Sequence, residues 1–362
     1  MDQYDQSNQG VVDLLASYLE HLGFQIDVQP VPNHPGKSNL IARLGPDKPG
    51  GLLLSGHTDT VPFDEELWQS DPFTILEKDD RWYGLGSCDM KSFFAMCIAA
   101  VAEVDPTKLD KPIVILGTAD EESSMSGARV LNHDLLGKPR FAIIGEPTEL
   151  VPIHKHKSIA MLGLRINGSS GHSSNPELGR NALDAMAPVL DHLIKFRDEM
   201  ASEHQDAHFT VQTPTLNLGC VHGGDNPNRI CDHVDLSFDL RLLPGMNELG
   251  IIESIGTRLR PILEQRGLTM SLAPLHPTIP AFSNESSQLL KDCVEASGNR
   301  AETVAFATEA PFLSALGIDT VVMGAGSIDQ AHQPNEYLDL AQIEPLVAII
   351  RDLIETHCIQ HD

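Results

Sequence analysis

Apolar residues in VVDLLASYLEHL, residues 11–22, recur at helical spacing and stop at Gly23, which predicts a helix followed by a strand in FQIDVQPV. NLIARLG and GLLLSGH read as two further strands. The second is so uniformly apolar that it belongs in the middle of a sheet covered on both faces, and it opens into a loop at His57. The segment from Met90 to Val104 is rich in Phe, Ala, Met and Ile and predicts a buried helix, with PIVILGTAD as the next central strand. Residues 125–136 are compatible with a helix, and FAIIGEP supplies another strand that stops at an acidic residue beside proline. Strands and helices alternating in this way predict a three-layer α/β domain with a mostly parallel sheet.

Near residue 158 the pattern changes. SIAMLGLRINGSSG alternates toward one face, and a long helix is expected from about Glu177 to Ala201. TPTLNLGCVHGG and CDHVDLSFDLRLLPG follow as strands, GIIESIGTRLRPILEQRG as a helix and LTMSLAPL as a last strand. Strand, helix, two strands, helix, strand is the order of a ferredoxin-like α+β domain. After about residue 276 the α/β style returns with helical SSQLLKDCVEAS, strand-like DTVVMGAG and a terminal helix near 340–356. The expected division is therefore an α/β domain over 1–160 and 276–362, interrupted by an inserted α+β domain at 161–275.

A chain of 362 residues exceeds the size at which one core usually stops growing, in keeping with two domains. Its 51 acidic residues against 25 basic ones give a net charge of -26, a field that repels polyphosphates and anionic bilayers, so neither nucleic acid nor membrane is an expected partner. Six scattered cysteines without a close pair indicate reduced thiols rather than a zinc knuckle or a disulfide scaffold. The start, MDQYDQSNQG, lacks the basic end and apolar run of a secretory signal, and the expected location is the cytoplasm.

Polar groups stand where the apolar strands end. In GHTDTVP, His57 and Asp59 are two residues apart; they suit a loop hydrogen bond equally with a metal ligand backed by an acid that fixes its tautomer. Asp89, after the glycine-rich YGLGSCDMK, can cap the following helix or serve as a ligand, and the glycine spacing is not that of a phosphate loop. Glu121 and Glu122 extend an acidic run directly after a buried strand, either as a solvated turn or as one carboxylate facing a cation beside another facing water. Glu146 closes FAIIGEP, and His332 lies in GSIDQAHQP. These nitrogen and oxygen donors follow different α/β segments, where this architecture places its sites, and without cysteine they favour zinc, cobalt or manganese. Three carboxylates and one hydroxide neutralise two divalent ions, whereas a single ion leaves an acidic surplus.

The segments GHTDTVP, YGLGSCDMK, GTADEESSMSGA, IIGEPTE, SGHSS, GGDNPNRI, FATEAPF and GSIDQAHQPNEYL resemble, over almost the whole chain, the dinuclear metallopeptidase-like (M20) deacylase family. Within it, TADEESSMSGAR and GSIDQAHQPNEYL favour the branch that cleaves acetylornithine over the one that removes succinyl from diaminopimelate. Ser92 departs from the glycine that many relatives carry after DMK.

The resemblance implies five ligands. His57 and Glu146 serve one divalent ion, Glu122 and His332 the other, and Asp89 bridges; the ions are zinc ahead of cobalt. It further implies that Asp59 supports His57, that Glu121 is the general base and that His172 stabilises the oxyanion. Arg241 and Asn228 are implied for the substrate carboxylate, with Glu309 near the distal ammonium. The implied protein is a homodimer held by the inserted domain, which also acts as a lid, and the substrate is a small N-acyl amino acid. Desuccinylation, dipeptide hydrolysis and a noncatalytic binding role on the same fold are the competing expectations; retention of Glu121 and all five ligand candidates speaks against the last.

Overall fold

The computed structural model describes residues 7–360, which form two compact units. The first comprises residues up to 155 with 283–302 and those from 308 onward; the second comprises 156–282 with 303–307.

In the first unit the sheet runs in the order Gln25–Pro30, Ser38–Leu44, Ile113–Thr118, Leu52–His57, Phe141–Ile144, Asp319–Val322 and Ile153–His156. The four strands Ile113–Thr118, Leu52–His57, Phe141–Ile144 and Asp319–Val322 are mutually parallel, and their neighbours on either side are antiparallel. Leu52–His57 is buried throughout, as its three leading leucines require of a strand covered on both faces. Leu52 pairs with Ile113 on one side and Phe141 on the other, so the chain turns back across this strand. The carboxyl end of such a switch strand is where an open α/β sheet leaves a crevice, and His57 stands there.

Helices Gln9–His21, Lys91–Ala102, Gln288–Ser297 and Ile343–Cys358 contribute to one apolar cluster with residues of the sheet, among them Leu52, Leu54, Ile115 and Val321. Phe93 and Phe94, each 1% exposed, are the largest side chains that Lys91–Ala102 brings to it, and burying each stabilises the unit by roughly 2–3 kcal/mol.

The second unit is a four-stranded antiparallel sheet, ordered Thr215–Gly223, His233–Arg241, Ala160–Asn167, Thr269–Pro274, with helices Met186–Glu203 and Glu248–Glu264. Chain order and strand order together are ferredoxin-like. Ala160–Asn167 alternates strictly, and Leu162, Leu164 and Ile166 join Phe196, Phe238 and Leu259 in its core.

Two helices differ from their expected extents. The stretch 125–136 is split into Ser126–Arg129 and His133–Leu136, because the Asn132 side-chain Oδ1 accepts from the Leu135 N–H at 3.0 Å and starts a new helix. The helix expected from Glu177 begins at Met186: Arg180 is paired with Ser169 through reciprocal backbone bonds of 2.9 and 3.0 Å, which holds Gly179 extended. A Cβ on Gly179 would lie 2.5 Å from the Ser169 carbonyl oxygen, so only glycine fits that approach.

Candidate metal centre

Each of the four parallel strands delivers polar residues at its carboxyl end. Leu52–His57 ends on His57; Ile113–Thr118 leads into Asp120, Glu121 and Glu122; Phe141–Ile144 into Glu146; and Asp319–Val322 into the loop carrying His332. Asp89 enters from the turn before Lys91–Ala102, and its side chain does not cap that helix, whose N-cap is Met90. It faces two imidazoles instead. His57 Nε2 lies 3.0 Å from Asp89 Oδ1, and His332 Nε2 lies 3.3 Å from Asp89 Oδ2 and 3.1 Å from Glu122. Among the described residues, His57, Asp89 and Glu146 offer ligand atoms within 4.8 Å of one another, and so do Asp89, Glu122 and His332. Asp89 is common to both sets. Glu121 falls outside them and groups with His57 and Glu122.

Local folding explains the placement. The two oxygens of Asp59 accept the backbone N–H groups of Glu121 at 3.2 Å and Glu122 at 3.1 Å, so one carboxylate fixes the acidic turn as well as lying 3.5 Å from His57 Nδ1. Asp120 bends the chain into that turn with φ of 58°, and its buried carboxylate is held by Lys37 at 2.8 Å and Ser126 Oγ at 2.6 Å. Behind Glu146, a Cβ on Gly145 would come within 2.1 Å of the Phe93 ring; glycine lets the strand end pack directly on the helix.

The electrostatics call for cations. Burial opposes charging of His57, yet the neighbouring Asp59 and Asp89 carboxylates hold its pKa well above the ordinary value. His332 is pushed up to about 10 by its contacts with Asp89 and Glu122. Burial, followed by repulsion from Glu146, raises Glu121 well above the carboxylate range. Glu146 is likewise raised, chiefly by burial, and its Oε1 is buried with no hydrogen-bond partner. If His57 is neutral and donates from Nδ1 to the Asp59 carbonyl oxygen at 3.2 Å, its Nε2 lone pair meets the Asp89 oxygen, two acceptors that need a positive charge between them. Buried carboxylates, an orphaned oxygen and imidazole lone pairs without thiolate form a donor set that fits divalent ions of the zinc, cobalt and manganese type.

Glu309 is 1% exposed; its Oε2 accepts from the Thr118 hydroxyl at 2.8 Å, its Oε1 has no partner, and burial chiefly raises its pKa to about 7. The remaining expected residues belong to the second unit. His172 is exposed, with Nδ1 2.8 Å from Ser174 Oγ. Its loop is tied to that of Asn228, whose carbonyl oxygen accepts from the Ser173 N–H at 3.0 Å, so these two expected residues share one surface. Arg241 donates from Nε to Asp239 at 2.7 Å. Sequence reading passed over Glu336, a buried acid in the His332 loop whose carboxylate accepts three backbone N–H groups around Asp89. Its only sequence signal was an acidic residue next to a ligand motif.

An α/β sheet whose parallel strands converge two nitrogen and oxygen donor sets on a shared carboxylate, with another carboxylate alongside, defines a metal-dependent hydrolase. The sequence matches Peptidase family M20/M25/M40 over residues 53–356, and the chain belongs to that family. It is 46% identical over 359 residues to acetylornithine deacetylase of Photorhabdus laumondii subsp. laumondii, covering 99% of this chain and 93% of that protein. The fold is similar to that of a tripeptidase from Staphylococcus aureus, with a TM-score of 0.79 at 19% identity and coverage of 98% and 94% of the two chains. It is also similar to a dinuclear metal-binding peptidase of the M20 family from Bacillus subtilis, with a TM-score of 0.69 at 15% identity and coverage of 95% and 91%. No helix among the described residues is long and apolar enough to cross a membrane.

Proposed function

We propose that this protein hydrolyses the acetyl amide of N2-acetyl-L-ornithine to L-ornithine and acetate, a step of arginine biosynthesis, as a cytoplasmic homodimer using two divalent ions, zinc ahead of cobalt. The observation that carries the chemistry is the pair of donor sets sharing Asp89 with Glu121 beside them. The likeness to acetylornithine deacetylase over 99% of the chain carries the substrate.

His57 and Glu146 would hold one ion, Glu122 and His332 the other, with Asp89 between. When bound, the pair acidifies a shared water and polarises the amide carbonyl. Glu121, with its proton affinity raised by burial, takes the proton of the attacking water and passes it to the departing amine. Asp59 keeps His57 in register while clamping the Glu121 and Glu122 peptides. On the second unit, His172 donates to the developing oxyanion in the partner's centre, and Arg241 with Asn228 binds the substrate carboxylate. The unpartnered Oε1 of Glu309 is offered to the distal ammonium. In this reading the ferredoxin-like unit is both lid and dimer contact.

The test is a panel of N-acetylornithine, other N-acetyl amino acids, N-succinyl-diaminopimelate and dipeptides on the metal-loaded protein. Highest kcat/KM for N-acetylornithine supports the reading. A clear preference for any other member of the panel overturns the substrate while leaving the hydrolase in place.

A further inference from the structure

The loop from Gly84 to Asp89 places the bridging carboxylate, and its backbone is not held by a sheet ladder. One side chain gathers its donors. Glu336 Oε1 accepts the N–H groups of Cys88 at 2.7 Å and Asp89 at 2.8 Å, and Oε2 accepts that of Gly86 at 2.8 Å. The Glu336 carbonyl oxygen takes a fourth, from Gly84 at 3.1 Å. A carboxylate only 2% exposed, close to the Asp89 carboxylate, is costly to bury, and three charge-assisted hydrogen bonds offset part of that cost.

The same short segment carries a ligand candidate. Glu336 follows His332 by four residues, and the His332 ring meets the other side of Asp89 at 3.3 Å. Both flanks are anchored: Asn335 Oδ1 accepts from the Gln69 N–H at 2.7 Å, and Tyr337–Asp339 forms an antiparallel ladder with Arg81–Tyr83. Turning the Asp89 peptide to swing its carboxylate away from His332 breaks the Asp89 N–H bond to Glu336. The loop and the His332 segment, far apart in sequence, are thereby locked into one spacing.

We propose that Glu336 is a positioning residue that fixes Asp89 against His332 and so sets ion binding at the Asp89, Glu122 and His332 donor set. The inference rests on the metal-centre reading above. Both Glu336 oxygens face backbone N–H groups, so it acts through the Asp89 peptide. A glutamine in its place keeps the volume and one acceptor but turns an amide NH2 toward backbone N–H groups, whereas alanine leaves all three donors without a partner.

The experiment compares the wild-type chain with Glu336→Gln, Glu336→Ala and Leu353→Ala, the last a core truncation in the terminal helix that lowers the melting temperature without addressing the loop. Zinc retention is read by chelator competition, and the visible spectrum is read after full loading with cobalt. Glu336→Gln is expected to weaken retention about 10-fold and Glu336→Ala about 100-fold, each with an altered cobalt spectrum. Leu353→Ala is expected to keep wild-type retention and spectrum. If Glu336→Ala does not fold, Glu336→Gln decides alone. Wild-type retention and an unchanged spectrum in the folded Glu336 variants would overturn the assignment, as would an equal loss in Leu353→Ala. A wild-type chain that takes up no ion would overturn the metal-centre reading itself.

Discussion

His57 and His172 both have small polar residues as chain neighbours, yet their surroundings differ sharply. His57 is 1% exposed at the end of a central parallel strand, with Asp59 and Asp89 against its two nitrogens. His172 is exposed on a pair of loops in the ferredoxin-like unit, and Ser174 is its side-chain partner. The first unit completes a donor set from its own strand ends. The second carries the residues proposed for recognition, His172 and Asn228 in paired loops and Arg241 at a strand end, around a sheet that packs Leu162, Leu164, Ile166 and Phe238 into an apolar core. Burial and convergence perturb proton affinities and demand a cation, whereas exposed groups acquire a role only from what binds them.

That contrast yields predictions of decreasing size. Strong chelation is expected to lower amide hydrolysis by more than about 10³-fold while the circular dichroism of the fold persists, because the ions serve strand-end chemistry and the apolar cores are complete without them. Full activity in rigorously metal-free protein would contradict this.

The exposed histidine gives the next effect. In the proposed role the His172 hydrogen bond strengthens as the oxyanion develops, so His172→Ala is expected to reduce kcat by about 10²-fold with little change in KM. Mixing inactive Glu121→Gln chains with inactive His172→Ala chains under subunit exchange should restore activity toward half the wild-type value per mixed dimer. Verified heterodimers without recovery would remove His172 from the partner's centre.

The smallest effect concerns stability. His156, fully buried at the end of strand Ile153–His156, has its pKa lowered from 6.5 to about 4 by burial. The folded value lies below the unfolded one, so the stability it contributes is complete above pH 6.5 and declines as pH falls toward 4, by about 3 kcal/mol in total. His156→Phe should flatten the pH dependence of denaturant unfolding over that window. An unchanged slope would show that another group governs it.

Much of this organisation was legible in the sequence because its periods are clean. The leucine run that opens Leu52–His57, the alternation of Ala160–Asn167 and the acids after Thr118 each announce a face or an end. The strand Ile153–His156 was missed since IHKH carries polar groups at buried positions, and no hydrophobic period marks it. The helix start at Met186 depended on a backbone pairing between Ser169 and Arg180, a tertiary contact that overrides local propensity. Glu336 was hidden for a similar reason: its function lies in backbone donors some 247 residues away along the chain. Spacing also could not tell that Asp59 clamps two peptides as well as flanking His57.

The adjacent pair Glu121 and Glu122 puts the central claim to its most direct test, because one is assigned to proton transfer and the other to ligation. The decisive measurement is turnover together with bound-metal stoichiometry in Glu121→Gln, with Glu122→Gln in parallel. Glu121→Gln is expected to keep close to two ions per chain and lose at least about 10²-fold in kcat, while Glu122→Gln loses metal. Near-normal turnover in Glu121→Gln with its metal content unchanged would contradict the account.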